Sequence, residues 1–265
     1  MVSFTRLDEL KERRPLIHCV SNLVSANDCA NAALAVGASP IMARESLELE
    51  DITAASAATV LNTGTPDEAK FAACRVCARA ASALRHPLIL DPVGVGASPW
   101  RLRRVEELLH LGTPSILRVN PGEARALLRR GMAEQGVDSP GPEPRQARLE
   151  LAAALAERLG GAVLLSGEED LICGGGRAYA VTGGSAEMAR VTGTGCMLSV
   201  LCGAFAAVEE DPFAAAVLAS SFWKTCAELA QARSAGPGSF HVALLDAAGS
   251  LTSGTCAARA RIEPL

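Results

Sequence analysis

The amino-acid sequence predicts an α/β fold with a mainly parallel central sheet. Short apolar runs of strand length alternate with amphipathic runs of helix length along most of the 265 residues. Because each intervening helix is long enough to cross the sheet, successive strands are expected to pair in parallel, with helices layered against them. The length suits one domain with a large core, and the sequence contains no internal repeat and no domain-sized linker.

Five strands and five helices are predicted in the first half of the chain. The strands are short apolar stretches, and the helices repeat apolar residues at intervals of three and four. Gly37 ends the first of these helices and is a typical C-terminal cap. In chain order the strands are PLIHCV, SPIMA, ATVLN, PLILD and PSILRVN, and the helices are ANDCANAALAVG, SLELEDITAASA, residues 67–84, residues 101–111 and GEARALLRR.

The second half begins with a loop and ends in helices. The segment GMAEQGVDSPGPEP, residues 131–144, is rich in glycine and proline and is predicted to be an exposed loop. A helix with Leu149, Ala152, Leu155 and Leu159 on one face precedes the strand GAVLLSG. The segment DLICGGGRAYAVTGG predicts a hairpin at the sheet edge. Three more helices are predicted, from Gly193, from near Pro212 and over FHVALLDAAGSL.

Composition and charge exclude several classes of function. The formal net charge of −4 argues against binding nucleic acid by phosphate neutralisation, and the aromatic content of 3% argues against stacking platforms. No apolar run approaches the ~18 residues that suggest a membrane span. The charged N-terminal segment also lacks a signal-peptide core. We therefore expect a cytoplasmic protein that has neither membrane nor nucleic-acid partners.

The cysteines are expected to be reduced thiols. Nine of them are scattered along the chain, an odd number without a disulfide-like spacing. Cys74 and Cys77 form the only CxxC pair, and they lie inside a helical pattern, which favours packing over a zinc or redox site. The four histidines include no pair at metal-ligand spacing.

The segment VTGTGCMLS has two interpretations. Gly193 and Gly195 stand where a helix begins, and glycines there let the backbone N–H groups of the first turn approach an anion. Cys196 would lie in the same positive field, which favours its thiolate. The other interpretation is a glycine-rich helix start with a small packed cysteine, and this stretch alone does not decide between them.

Charged residues end two of the predicted strands. Asp91 follows an apolar strand and could hold Mg²⁺ through water, although a turn-capping aspartate is the commoner use. Arg118 and Asn120 end the next strand, and Glu123 falls in the first turn of the following helix, where it also complements the helix dipole. Because ligands of such folds bind beyond the carboxyl ends of parallel strands, the two acids could share a cation and Arg118 could grip a phosphate.

Six stretches in this order resemble the hydroxyethylthiazole kinase family. They are PLIHCVSNLVSANDCANAALAVGASPIMA, LNTGTP, LILDPVGVGAS, ILRVNPGEA, LLSGEED and VTGTGCMLSVLCGAF. The resemblance runs from about Pro15 to Val208 and implies a single ribokinase-like domain over residues 1–265, a three-layer α/β/α fold with a mainly parallel central sheet. It also implies transfer of the γ-phosphoryl group of ATP to the primary hydroxyl of 4-methyl-5-(2-hydroxyethyl)thiazole in thiamine biosynthesis or salvage.

The resemblance assigns residues to the alcohol side of the site. Met42 and Gly193 match substrate-contacting residues, Asn22 matches a residue near the thiazole, and Cys196 matches the family's active-site cysteine. Many sugar kinases of this fold have an aspartate base at that position, so Cys196 is interpreted either as the base or as a group that shapes the pocket. The family is typically trimeric with active sites between subunits, which implies a homotrimer.

The resemblance also assigns the nucleotide side. Arg118 and Ser166 match ATP contacts, with serine standing where the family commonly has threonine. Asp91 and Glu123 match the acids associated with the cofactor Mg²⁺. The sequence VNPGE departs from a more usual GNxxE, so the contact made by residue 119 is not carried over.

Three rival functions remain open at this stage. The first is a kinase of the same fold that acts on another small alcohol, such as a hydroxymethylpyrimidine or a sugar. The second is an ATP-dependent repair dehydratase, which would keep the nucleotide site without needing a primary alcohol. The third is a catalytically silent nucleotide- or thiazole-binding protein, which the presence of Asp91, Glu123 and Cys196 disfavours.

Overall fold

The computed structural model describes residues 2–129 and 143–265. The loop predicted at 131–144 falls almost entirely outside this part. The strands of the described part are β1 (Leu16–Val20), β2 (Ser39–Ile41), β3 (Ala58–Asn62), β4 (Leu88–Asp91), β5 (Ile116–Val119), β6 (Ala162–Leu165), β7 (Asp170–Gly174), β8 (Arg177–Thr182) and β9 (Arg261–Pro264). The α-helices there are α1 (Arg6–Arg13), α2 (Ala26–Val36), α3 (Leu49–Ala55), α4 (Glu68–Leu84), α5 (Pro99–Leu111), α6 (Pro121–Leu128), α7 (Arg145–Leu159), α8 (Thr194–Ala206), α9 (Pro212–Gln231), α10 (Pro237–Ser250) and α11 (Ser253–Arg259).

The strands form one sheet in the order β2-β1-β3-β4-β5-β6-β7-β8-β9. The neighbours from β2 to β6 pair in parallel, and β7, β8 and β9 are added antiparallel. The mainly parallel α/β sheet predicted from the sequence is therefore confirmed, and so is the hairpin, in which Gly174 pairs with Arg177. Parallel pairing places the carboxyl ends of β1 and β3 to β6 along one edge of the sheet.

A separate hydrophobic core lies on each face of the sheet, which gives three layers. Neighbouring residues of β3 show the division, since Val60 belongs to one core and Leu61 to the other, as the alternation of a strand requires. Helices α1, α2, α8, α9, α10 and α11 supply the first core. Helices α3 to α7 supply the second.

Helix α8 lies deep in the first core, and its N-terminus lies near the carboxyl ends of the parallel strands. Its residues from Cys196 to Ala206 are all buried. Gly203 lets the helix approach the sheet, because a Cβ atom at that position would lie 2.6 Å from a methyl carbon of Val60. The close approach brings the first turn of α8 to the ends of β3 and β4.

Three elements have no counterpart in the sequence prediction. Helix α1 is highly charged and buries only Leu7 and Leu10, so its apolar stripe is thin. Helix α11 buries only Cys256. Strand β9 is mostly exposed and joins the sheet by pairing with β8, a partner that a local pattern does not reveal. Within the described residues no helix is both long enough and apolar enough to cross a bilayer.

Candidate active site

Four of the predicted site residues meet at the carboxyl ends of β4, β5 and β6. Asp91 is the last residue of β4, and Arg118 is the penultimate residue of β5. Glu123 lies in the first turn of α6, and Ser166 follows β6 directly. The structure therefore brings together residues that are up to 75 positions apart in the sequence, as parallel strand pairing predicts.

Asp91 is a fully buried carboxylate with three side-chain donors. Its Oδ2 accepts hydrogen bonds of 2.8 Å from Asn62 Nδ2 and of 2.8 Å from Ser199 Oγ. Its Oδ1 lies 3.4 Å from Arg118 Nη1. Burial raises the pKa of Asp91 above its usual value, while the nearby Arg118 charge and the hydrogen bonds oppose that rise.

Arg118 connects Asp91 to Ser166. Its Nη2 donates to Ser166 Oγ at 2.6 Å, and only 13% of its side chain is exposed. Its Nε atom is buried and has no hydrogen-bond partner within the described part of the chain. An unpaired guanidinium N–H is costly to bury, so Arg118 offers a donor that an anionic ligand can use.

Glu123 is fixed by backbone donors. It forms a capping box with Asn120, in which Glu123 N donates to Asn120 Oδ1 at 2.8 Å and Asn120 N donates to Glu123 Oε2 at 2.9 Å. Its Oε1 accepts from Gly94 N at 3.0 Å. Burial raises the pKa of Glu123, and the charge of Asp91 adds to that rise, whereas Arg118 lowers it. The predicted dipole-complementing role and a role beside a cation are both compatible with this position.

The two acids suit a cation that is shared with phosphate oxygens and water. No three His, Cys, Asp or Glu side chains of the described residues cluster as a metal-ligand set. Each carboxylate oxygen of Asp91 and Glu123 already accepts at least one protein hydrogen bond, which leaves limited capacity for direct coordination. Mg²⁺ keeps several waters and uses few carboxylates, so this donor set fits Mg²⁺ carried by a nucleotide.

Cys196 lies in the first turn of α8 and is a buried thiol, 8% exposed. Burial raises its pKa, and the negative charge of Asp91 raises it further. Hydrogen bonds from Ser25 and Asn62 lower the pKa by less, as does the charge of Arg118. Desolvation and the neighbouring carboxylate thus outweigh the groups that stabilise the thiolate, which favours the protonated thiol.

Gly193 supplies the backbone conformation that opens α8 to a ligand. It is the N-cap of α8 with φ of 84°, a left-handed conformation that favours glycine. A Cβ atom there would lie 2.8 Å from Ser25 Cβ, so a side chain at this position is excluded by space as well. Its carbonyl accepts the first helical bond, from Met197 N at 2.8 Å. The first N–H groups of a helix have no partner within the helix, so they can serve a ligand.

Asn22 and Met42 make no described contact with Asp91, Arg118 or Glu123. Asn22 follows β1, and its carboxamide covers Gly64, where a Cβ atom would come within 2.8 Å of Asn22 Cγ. The two loops are joined by a 3.0 Å hydrogen bond from Leu23 N to Thr65 Oγ1. Met42 follows β2, is half-buried and packs against the core that contains α8, at the edge of the sheet. The described contacts do not join Met42 to Asp91 or Arg118.

A cavity of about 850 Å³ opens beside the cluster. Its lining includes Arg118, Ser166, Gly195, Leu198, Trp223 and Lys224. Trp223 and Lys224 are neighbours on α9, and sequence reasoning missed both of them. It also missed the two groups that hold Asp91. Asn62 could have been found, because it ends β3 in direct register with Asp91. Ser199 falls one helical turn after Gly195, but its role depends on how α8 is docked.

Comparisons with known proteins agree on one family. The model of the hydroxyethylthiazole kinase family matches residues 7–254. A hydroxyethylthiazole kinase of Leptospira biflexa is 40% identical over 249 residues, which cover 94% of this chain and 92% of that protein. The structure of a hydroxyethylthiazole kinase from Pyrococcus horikoshii OT3 superposes with a TM-score of 0.91 at 35% identity, over 99% of this chain and 98% of the other. A ribokinase-like superfamily protein from Enterococcus faecalis V583, 14% identical, superposes with a TM-score of 0.60 over 93% of this chain and 94% of the other, which shows the shared fold.

Proposed function

The chain belongs to the hydroxyethylthiazole kinase family, and on this premise we propose that it transfers the γ-phosphoryl group of ATP to the primary hydroxyl of 4-methyl-5-(2-hydroxyethyl)thiazole. The reaction would serve thiamine biosynthesis or salvage. The observation that carries the proposal is the meeting of Asp91, Arg118 and the first turn of α8 within a chain that matches the family over residues 7–254. Acid, cation and helix N-terminus are the groups that phosphoryl transfer requires.

Arg118 and Ser166 form the triphosphate contact in this proposal. Arg118 presents an unpaired Nε–H, and its Nη2 is held in place by the hydroxyl of Ser166. Both residues line the 850 Å³ cavity, which gives the nucleotide a place to extend away from the acids. Because Arg118 also contacts Asp91, a phosphate bound to the guanidinium is directed toward the carboxylate end of the site.

Asp91 and Glu123 are the residues that would hold Mg²⁺. When bound, the ion neutralises charge on the phosphate oxygens. Asn62 and Ser199 keep Asp91 oriented by donating to its Oδ2. Gly94 and Asn120 keep Glu123 oriented through their backbone N–H groups. The acids are thereby fixed in position before any ligand arrives.

The first turn of α8 would stabilise the transferring group. The N–H groups that have no partner within the helix, together with the positive end of the helix, suit the charge on the phosphoryl oxygens. Cys196 stands in the same turn and is placed against the reacting hydroxyl. Its raised pKa supports a role in orienting the hydroxyl over one in removing its proton beforehand. The transition state of phosphoryl transfer is loose, so the reaction has little need of a base that deprotonates the hydroxyl beforehand.

Asn22 and Met42 would contact the thiazole, and the assembly would be a homotrimer with sites between subunits. Exposed apolar side chains flank both residues, which supports this arrangement. Leu23 and Val24 follow Asn22 and are 60% and 63% exposed, and Leu47 near Met42 is 91% exposed. Light scattering on the purified protein tests the trimer, and Leu47→Glu is expected to weaken it. A monomeric native protein would contradict the arrangement.

The compartment proposed is the cytoplasm. All nine cysteines lie in the described part of the chain, and each is a buried free thiol. Reduced thiols in this number suit a reducing compartment.

A coupled assay of ADP production with ATP, Mg²⁺ and the thiazole alcohol tests the activity. We expect turnover that requires all three components, and formation of the thiazole phosphate. A panel containing a hydroxymethylpyrimidine and sugars separates this activity from that of other kinases of the same fold. Absence of thiazole-dependent ADP production would contradict the proposal.

A further inference from the structure

Lys224 is a buried cation in the cavity wall to which the reaction assigns no role. It lies on α9, and 7% of its side chain is exposed. Its Nζ donates to Gly167 O at 3.2 Å and to Glu168 O at 2.9 Å, and it lies 3.3 Å from Asp170 Oδ1. An ammonium group carries three protons, so these three acceptors account for all of them.

Asp170 holds the same turn from its other side. It is the first residue of β7, with 4% of its side chain exposed. Its Oδ1 accepts from Gly167 N at 2.9 Å, and its Oδ2 accepts from Ser220 Oγ at 2.7 Å. The N–H of Gly167 is therefore fixed by Asp170 while the carbonyls of Gly167 and Glu168 are fixed by Lys224. The turn that follows Ser166 is therefore tied to α9 directly by two bonds from Lys224, and indirectly through Asp170, which contacts both Lys224 and Ser220 of α9.

We propose that Lys224 is a positioning residue for the nucleotide. Together with Asp170 it holds the Gly167–Glu168 turn, so that Ser166 stays on Arg118 and the guanidinium keeps its place in the cavity wall. The inference rests on the proposed function, because it takes the cavity as the ATP site. The alternative role is direct phosphate binding by Lys224. For that role the ammonium would have to leave two carbonyls and a carboxylate to reach a ligand.

The residue type supports a positioning role. The chain contains only three lysines among its 25 basic residues, so lysine is not the usual cation of this protein. A compact ammonium can reach two carbonyls and a carboxylate that converge on one point, whereas the planar fork of arginine cannot. Arginine would, however, serve well as a direct phosphate ligand. Lys224→Arg therefore separates the two roles.

The test compares binding of ADP by calorimetry in Lys224→Met, Lys224→Arg, Asp170→Asn and the double variant Lys224→Met/Asp170→Asn. We expect each to weaken ADP binding about tenfold or more, the scale of one lost hydrogen bond. The double variant is expected to be no weaker than Lys224→Met alone, because both residues act on one turn. The KM for the thiazole alcohol should stay within about twofold of the native value, since the alcohol side is not touched.

Lys11→Met is the matched control. Lys11 also donates to a backbone carbonyl, that of Leu251 at 2.7 Å, but it lies on α1 and outside the cavity lining. We expect its ADP affinity to equal that of the native protein. Where Lys224→Met does not fold because Asp170 is left unpaired, the double variant decides, since it leaves no buried charge without a partner. Circular dichroism establishes which variants are folded.

Two results would overturn the inference. One is ADP affinity within about twofold of native in the folded double variant. The other is recovery of affinity in Lys224→Arg together with unchanged affinity in Asp170→Asn, which would make Lys224 a direct phosphate ligand. Failure of the proposed function is distinct from both, because the native protein itself would then fail to bind ADP or to phosphorylate the thiazole.

Discussion

The guanidinium of Arg118 packs directly on the backbone of Gly195. A Cβ atom at position 195 would lie 2.5 Å from Nη2 and 2.8 Å from Cζ of Arg118. Gly195 is an ordinary helical residue without a positive φ, so space alone and not backbone conformation requires glycine here. The second glycine of VTGTGC therefore makes room for Arg118, whereas the first supplies the left-handed N-cap.

Gly195→Ala is expected to weaken ATP use with only a small effect on the fold. The added methyl group displaces the end of the Arg118 side chain, so we expect the KM for ATP to rise about tenfold. Alanine in a helix is favoured over glycine by about 1 kcal/mol, which offsets part of the stability lost where the Arg118–Asp91 contact is weakened, so the fall in Tm should be small. Steady-state kinetics and thermal unfolding measure the two effects.

Gly249→Ala provides the control for this pair of effects. Gly249 is helical, and the nearest atom to a Cβ there is Ala35 O at 4.0 Å. The Gly249→Ala variant should have the native KM for ATP. A native KM for ATP in the Gly195→Ala variant would show that ATP use does not depend on the observed position of Arg118.

Asp91→Asn and Glu123→Gln are each expected to raise the Mg²⁺ concentration needed for half-maximal rate. Each change removes one negative charge from the buried pair and so weakens its attraction for a divalent ion. The measurement is the initial rate as a function of free Mg²⁺ at saturating ATP. Glu106→Gln is the control, because Glu106 pairs with Arg129 away from the cluster. An unchanged Mg²⁺ dependence in both variants would make the metal assignment wrong.

Cys196→Ala is expected to lower kcat well beyond any change in the KM for ATP. In the proposed function the Cys196 side chain faces the alcohol, whereas Arg118 makes the nucleotide contact. Cys256→Ala, a buried thiol of α11, is the control and should retain native kcat. Native kcat in Cys196→Ala would remove the thiol from the chemistry.

The pH dependence of kcat separates the two roles considered for Cys196. Burial and Asp91 raise the pKa of the thiol above its ordinary value, so it stays protonated through neutral pH. We therefore expect Cys196→Ser to lower kcat without changing the shape of the profile between about pH 6.5 and pH 8.5. An ascending limb that disappears in Cys196→Ser would identify the thiolate as the base.

Because of Lys70, the native protein is expected to become more stable relative to a Lys70→Met variant as the pH rises through the alkaline range. This lysine is 1% exposed, donates through Nζ to Gly64 O, and has its pKa lowered by burial to about 8. Between about pH 8 and pH 10.5 the unfolded chain holds a proton that the folded chain has released. The free energy of unfolding of the native protein, minus that of Lys70→Met, should therefore increase by about 2–3 kcal/mol across this window.

Urea unfolding at several pH values in the window measures this difference. The buried cysteines have raised pKa values and destabilise the fold at alkaline pH; those that do not interact with Lys70, such as Cys19 and Cys202, contribute equally to both proteins and cancel. Cys74 does interact with Lys70, so both proteins are compared in a Cys74→Ala background. A difference that is constant with pH would show that Lys70 stays protonated in the folded state.

The sequence predicted the parts of the site that depend on strand ends. Asp91, Arg118 and Ser166 each follow or end an apolar run, and parallel pairing is enough to bring such positions together. Glu123 was found for the same reason, one turn into the next helix. The local pattern therefore predicted the fold class and the positions of these residues at one edge of the sheet, whereas their roles came from the family resemblance.

What the sequence did not predict depends on how the helices dock. Ser199 reaches Asp91 only because α8 packs closely on β3, through Gly203. Lys224 meets Asp170 across 54 residues, and nothing local to either position indicates that contact. The sequence also leaves the protonation state of Cys196 open, because it shows the helix field and does not show how close Asp91 lies to the thiol.

Trp223 gives the protein an internal optical reporter of its own cavity. The indole is 1% exposed, lines the cavity and donates through Nε1 to Thr194 O at 3.0 Å. Trp100 is the only other tryptophan in the chain. In a Trp100→Phe background, the fluorescence of a single residue would follow nucleotide entry in real time, with no label attached.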